Sequence, residues 1–398
     1  MELERLGRTL TFRNSDRPID IPETVTLKPF RAWWVSNVLN IDLPTMEDTD
    51  LYRHRVIRML DEAKRWGMTA IFFQVRTTSD AFYRSNLNPY SRYLTGKEGK
   101  TPPFDAFMWV IEEAKKRAIE CHAWMNPYRV SVKGDLSKED YLATCDDRNF
   151  AKRHPEHVLV DRKGLLILNP ARKAVKDHIV ETMVEVARNY PIDGIHFDDY
   201  FYPYAGGIDD EADYLENSNA YRTKGDFRRA QVTEVIRRVR DAVKSVDPGL
   251  RFGISPFGIW RNEDVDPRGS NTDPKCSQSY DDQYADTRSW VKEKLIDYIV
   301  PQIYWGFAHP LAPFADLVNW WADLCAKSEV DLYIGHGVYR LGNKPDYLNP
   351  LETVDQVRYA NHFPAVKGNV FFTYHTFVDH ADDEAILALK ESLDRKSP

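Results

Sequence analysis

Apolar positions along the chain follow two alternating rhythms. Short runs of strand type occur at residues 30–37 (FRAWWVSN), 70–76 (AIFFQVR), 120–126 (ECHAWMN), 194–199 (GIHFDD), 251–256 (RFGISP), 297–305 (DYIVPQIYW), 331–337 (DLYIGHG) and 369–375 (NVFFTYH). Between them lie helical patterns at about 50–66, 104–118, 172–190, 223–246, 286–295, 312–327, 352–361 and 381–394, stopped by Gly or Pro signals. The first, LYRHRVIRMLDEAKRWG, puts Val56, Leu60 and Ala63 on one stripe with charges opposite, as a helix covering a sheet requires. Strands alternating with helices build a parallel sheet, and eight such units close a TIM barrel. The expected fold is therefore α/β, a (β/α)8 TIM barrel with long βα loops. Residues 1–28 read as a short N-terminal extension and 29–398 as the barrel, with no repeat, linker or low-complexity tract dividing them. The longest βα loops follow strand 3 (about 127–170), strand 4 (200–222) and strand 5 (257–285). Loops of that length at the C-terminal face are where such barrels build their sites.

Side chains alternate along a strand, so every second residue shares a face. One parity collects Gln74 and Arg76, then His122, Trp124 and Asn126, then His196 and Asp198, then Gln302 and Tyr304, and finally His336. The other is apolar, with Phe73, Val75, Ile195, Phe197, Ile299 and Ile303. Polar groups are thus expected inside the barrel, where they need each other or a ligand as partners. Only one of Trp33 and Trp34 can face in.

Composition narrows the ligand. The 398 residues carry a formal charge of -7, which argues against a nucleic-acid partner, since that binding rests on clustered Lys and Arg. With 42% hydrophobic and 29% charged residues the chain is globular, and no stretch reads as membrane-spanning. The 10 Trp, 21 Tyr and 19 Phe exceed what a core hides comfortably. Many of them, including Trp33, Trp34, Trp124, Tyr128, Tyr202, Tyr204, Trp260, Tyr304, Trp305, Tyr339 and Tyr374, fall at or just after a strand. Aromatic faces stack on pyranose rings while Asn, Gln, Arg and Asp bond the hydroxyls, so an oligo- or polysaccharide is the expected partner. The four cysteines stand far apart, indicating neither a zinc knuckle nor a disulfide framework. The first residues lack the apolar run of a leader. The chain is accordingly read as cytoplasmic, or as belonging to the cell envelope or exterior if a leader has been removed.

The densest chemical cluster is GIHFDDYFYP, with Asp198 and Asp199 at the strand-4 end. Two carboxyls can divide acid and base roles or hold a metal. The metal is disfavoured: no second acidic strand end or HxH pair is present, and His122, His196, His336 and His375 are spread over four strands. The turn after strand 7, GHGVYR, is bulky where a phosphate site needs open glycines. No GxGxxG, P-loop or nucleophile elbow occurs. No cofactor is expected.

These motifs resemble glycosyl hydrolase-like family 10. The resemblance rests on FRAWWVSNV, FFQVRTTSDAFYRS, PYSRYLTGKEGKTPPFDAFMWVIEEAKKRAIECHAWMNPYRV, LNPA, DGIHFDDYFYPY, FGISPFGIWRN, YDDQYADTRSWV, DYIVPQIYW and YIGHGVYR, in order over about residues 30–375. It implies a (β/α)8 barrel with glycosidase activity, and an association with cleavage of peptidoglycan glycan strands, particularly strands stripped of stem peptides. Carried over by position, the acidic strand-4 motif falls on Asp198 and Asp199. The Gln-Val-Arg motif falls on Gln74 and Arg76, Asn-Pro-Tyr-Arg on Asn126, Tyr128 and Arg129, and Gln-Ile-Tyr-Trp on Gln302, Tyr304 and Trp305. Asn37, Trp124, Tyr202, Trp260, His336 and Tyr339 complete the expected substrate-binding set.

Glycoside hydrolysis usually takes two carboxyl groups, about 5 Å apart for retention and roughly 6.5–9.5 Å for inversion. Asp198 is the first. The second is Asp199 or a residue of the loop after strand 5: Glu263, the third residue of the expected catalytic set, or Asp264, Asp281 or Asp282. Asp286 instead reads as a helix N-cap. In a third arrangement the substrate's own 2-acetamido group is the nucleophile, and adjacent Asp198 and Asp199 with Tyr304 across the barrel would suit it. Hydrolysis of an α-glucan or plant polysaccharide, or non-catalytic carbohydrate binding, are the alternatives to an N-acetylhexosamine strand.

Overall fold

The computed structural model describes residues 1–5, 7–24 and 26–394. Eight parallel strands close into one barrel: β1 (Phe30–Val35), β2 (Ala70–Arg76), β3 (Glu120–Met125), β4 (Gly194–Phe197), β5 (Arg251–Ile254), β6 (Tyr298–Ile299), β7 (Asp331–His336) and β8 (Val366–Phe371). Around it run α1 (Thr49–Arg65), α2 (Ala106–Lys116), α3 (Lys173–Asn189), α4 (Lys224–Val246), α5 (Thr287–Lys292), α6 (Phe314–Cys325), α7 (Glu352–His362) and α8 (Glu384–Asp394). Their starts carry the expected chemistry. Asp48, Asp105 and Thr223 cap α1, α2 and α4 by accepting backbone N–H bonds, and Asp286 caps α5 through Ser289 N.

Two apolar layers result. The outer one packs strand residues such as Phe73, Ile195 and Ile299 against the helices. The inner one fills the barrel with Phe30, Trp34, Phe72, Trp124, Tyr298 and Tyr333. Trp34 therefore faces in, while Trp33 packs outward on Phe377 with ring centroids 4.9 Å apart. The lower interior is held by a polar ladder within this aromatic fill. Tyr298 Oη lies 3.0 Å from His122 Nδ1, and His196 Nε2 lies 2.9 Å from Ser255 Oγ. Burial keeps His196 well below the ordinary histidine range, so it is a neutral structural residue.

Strand alternation fails after Gln74, and in β7 it holds but with the phase opposite to the one expected. The register shifts between Gln74 and Arg76, a bulge that turns Arg76 out of the barrel, where it donates to Asn88 Oδ1 at 2.6 Å. In β7 the inward residues are Tyr333 and Gly335. His336 therefore points at the helices and bonds Gln356 and Asn369. The first residues form a small hairpin, Glu4–Arg5 against Arg8–Thr9, with Leu3, Ile19 and Ile21 buried. All four cysteines are free.

Candidate active site

A cleft of about 640 Å³ opens at the C-terminal face, over the end of β4. The chain leaves β4 at Phe197, so Asp198 and Asp199 lie just past the last ladder bond and both reach the cleft floor. They are almost fully buried, at 7% and 6% exposure.

A chain of amides positions Asp198. The Gln74 Oε1 atom accepts from Asn37 N (2.9 Å) and Val38 N (2.8 Å), which orients the amide so that its Nε2 donates to Asn126 Oδ1 at 2.7 Å. Asn126 Nδ2 then donates to Asp198 Oδ2 at 3.0 Å. The other oxygen receives Gln302 Nε2 at 3.2 Å and the backbone N–H of Asp199 at 2.8 Å. Three N–H donors on one side chain define an acceptor-only group with fixed lone pairs. Asp199 stands differently. Its carboxyl accepts the Tyr204 hydroxyl, and burial, reinforced by the neighbouring charge of Asp198, holds it well above the ordinary carboxylate range. The Arg129 guanidinium opposes that shift from a distance while stacking over the Tyr200 ring at 4.0 Å. The cleft floor thus pairs a fixed acceptor with a carboxyl biased toward its protonated form.

Aromatic side chains form the walls. Tyr200, Tyr204, Phe257, Tyr304, Trp305 and Tyr339 line the cleft above the acid pair, with Trp34 and Trp124 below. The Trp124 Nε1 donor is buried and has no partner among the described residues. Opposite them the loop after β3 contributes a hairpin, Val158–Val160 against Leu166–Leu168, whose turn brings Asp161 and Lys163 to the rim.

Of the residues expected from sequence, Asp198, Asp199, Trp124, Arg129, Tyr202, Gln302, Tyr304, Trp305 and Tyr339 line this cleft. Asn37 and Asn126 lie beneath it in the amide chain. Six others lie elsewhere. Arg76 and His336 face the helices, and Tyr128 is buried in the outer core. Trp260 stacks on Trp320 and donates to Asp286. Glu263 is exposed on the loop after β5, off the cleft, and Asp281 is paired with Arg261. Asp199 is therefore the only acidic neighbour of Asp198 in the cleft floor among the described residues.

Sequence reasoning missed Tyr200, Asp161 and Lys163. The last two had a signal: VLVDRKGLLIL is two apolar runs around a Gly-containing turn, which reads as a hairpin. Three potential metal ligands, His154, Glu156 and His157, come within 4.8 Å of one another on this loop, outside the cleft lining.

Comparison with known proteins agrees with this geometry. The family model Glycosyl hydrolase-like 10 matches residues 29–349. The chain is 39% identical over 355 residues to glycosyl hydrolase YngK of Bacillus subtilis (strain 168), covering 87% of this chain and 68% of that one. It is 34% identical over 366 residues to glycosyl hydrolase DigH of Escherichia coli (strain K12), covering 87% and 83%. The fold is also similar to the PgaB (BpsB) glycoside hydrolase domain from Bordetella bronchiseptica, with a TM-score of 0.58 at 13% identity over 94% of this chain and 100% of that domain. An eight-stranded parallel barrel, an acid pair past its fourth strand and a family match over most of the length lead to one conclusion: the chain belongs to the glycosyl hydrolase-like 10 family of glycosidases.

Proposed function

We propose that the protein hydrolyses glycan strands containing N-acetylhexosamine, of the peptidoglycan type, using Asp198 and Asp199 with assistance from the substrate. The observation that carries this reading is the unlike state of two adjacent carboxyls: Asp198 fixed by three N–H donors, Asp199 raised by burial and by Asp198. Side chains on consecutive residues leave no separate place for a second carboxylate across the sugar, so the nucleophile is sought in the substrate. In this mechanism Asp199 gives its proton to the glycosidic oxygen as the C1–O bond breaks. The acetamido carbonyl oxygen bonds C1 and forms a cyclic oxazolinium, while Asp198 accepts the acetamido N–H and holds that group in line. Water then adds at C1, passing its proton to the Asp199 carboxylate, and the ring opens with net retention. Tyr304, which lines the cleft beside the pair, is suited to orient the acetamido group.

The test is cleavage of purified, peptide-free glycan strands, read as new reducing ends, against an α-glucan and a plant polysaccharide in parallel. The reading expects release from the N-acetylated strands alone. A thiazoline mimic of the cyclised intermediate is expected to bind tightly. Absence of inhibition at millimolar concentration would sink substrate assistance, and cleavage restricted to the other polysaccharides would sink the substrate class.

A further inference from the structure

The βα loops after β7 and β8 enclose a second cavity, about 330 Å³, beside the cleft. The two share one residue. The ring of Tyr339, 41% exposed, stands edge-on to Tyr304 and Phe372 of the cleft (centroids 6.0 and 5.9 Å) and also lines the second cavity. The lining polar groups leave bonding capacity unspent. His380 uses Nδ1 on Asp383 at 2.9 Å, which leaves Nε2 available, and Asn343 donates only to backbone carbonyls of its own loop. The hydroxyl of Thr376, in a residue 4% exposed, has no partner among the described residues. Such a buried hydroxyl is costly unless a ligand completes it. Among the described residues no Lys or Arg lines this cavity, and a phosphate or carboxylate would meet the carboxylates of Asp383 and Glu384 beside the imidazoles of His375 and His380. An uncharged polyhydroxylated ring matches the aromatic faces and the mixed donors and acceptors.

We propose that this cavity is a distal sugar subsite which continues the cleft past Tyr339, so that the enzyme favours strands long enough to reach it. The inference rests on the glycan-strand reading above and extends it from the site of cleavage to the length of strand gripped. A ring that stacks on an aromatic and completes one or two hydrogen bonds there should add about tenfold to kcat/KM.

The experiment is a length series of peptide-free glycan-strand oligomers, assayed with the wild-type chain, with the double variant Asn343→Ala/His380→Ala, and with Thr376→Val. The double variant alters exposed side chains, and Thr376→Val removes an unpaired buried hydroxyl at constant shape, so folding should survive in both. In the wild type kcat/KM should take a step of about tenfold at the length that reaches the cavity. In the variants that step should shrink or vanish while cleavage of shorter oligomers is unchanged. Cleavage of every length without a step, or a step that persists in both variants, overturns the subsite and leaves the catalytic reading intact. Failure to cleave any length overturns both.

Discussion

At the scale of single residues the decisive contrast is between two aspartates one peptide bond apart. Burial and the charge of Asp198 raise Asp199, so it is the group that can arrive at the glycosidic oxygen still protonated. Replacing it by Asn should lower kcat by about 10²–10⁴-fold, the range for loss of a positioned general acid, with little effect on binding of an intact strand. Near-normal turnover in Asp199→Asn would remove the assignment. The pH profile carries the same information. The alkaline limb of kcat/KM should follow deprotonation of Asp199 and lie above the ordinary carboxylate range. In Asp198→Asn the residual activity should lose that limb at lower pH, because the charge holding the proton on Asp199 is gone. Stability follows by linkage. A carboxyl whose folded value is raised favours the fold below its unfolded value, and that contribution is lost as pH rises through the folded one. Asp199→Asn should therefore gain stability relative to wild type as pH rises toward neutrality, which denaturant titration at a series of pH values would measure.

At the scale of elements, catalysis depends on strand ends held in register by side-chain amides. Gln74 joins β1 to β2, Asn126 carries the connection from β3, and both serve to aim Asp198. Asn126→Ala removes one of its three donors and leaves Gln74 Nε2 without its acceptor. A fall in kcat of roughly tenfold or more and a loss of about 1–3 kcal/mol in stability are expected. Unchanged kcat with only a lower Tm would show the amide chain to be structural alone. Much of this was legible in the sequence, because periodicity is a local property: the eight strand runs and eight helical patterns all have counterparts in the barrel. The parity argument correctly turned Gln74, Asn126, Asp198 and Gln302 toward one another. It failed at Arg76, where the backbone departs from regular pleating, an event no local pattern announces, and at His336, which shares the outward parity of Leu332 and Ile334 in a regularly alternating strand. The bulge after Gln74 sends Arg76 outward, and the register of β7 does the same for His336. The strand expected over 297–305 forms ladder bonds only at Tyr298–Ile299, since Pro301 interrupts it and Gln302 retains isolated bridges to Phe257 and Gly335. The loop carboxylates were ambiguous in sequence because their partners are distant along the chain: Asp281 finds Arg261, and Asp286 both caps α5 and accepts from Trp260.

At the scale of the whole molecule, the excess of acidic residues becomes a question of where carboxylates are taken out of water and what answers them. Glu352, in the first turn of α7, is the joint of one such cluster. Its Oε1 accepts the Phe307 N–H from the loop after β6 at 2.8 Å, and its Oε2 meets Arg5 Nε of the N-terminal hairpin at 3.1 Å. Arg5 also reaches Asp355 at 2.8 Å, so one cation from the extension serves two buried carboxylates on the barrel. Burial pushes Glu352 above its ordinary range and Arg5 pulls it back. Removing the cation leaves Glu352 buried without a charged partner, the expensive half of a broken pair, while Asp355 keeps Arg358 at 3.2 Å. Arg5→Met should thus cost about 3 kcal/mol near neutral pH, although it retains most of the apolar volume and the residue lies on the extension, away from the cleft. The sign with pH is fixed by the same groups. The penalty exists only while Glu352 is ionised, so it should fade as pH falls and Glu352 takes up its proton, and grow as pH rises. Comparing denaturation midpoints of the variant and wild type near pH 4 and near pH 7 tests this directly. A deficit equal at both values would mean that the hairpin holds the barrel through Leu3, Ile19 and Ile21 rather than through charge.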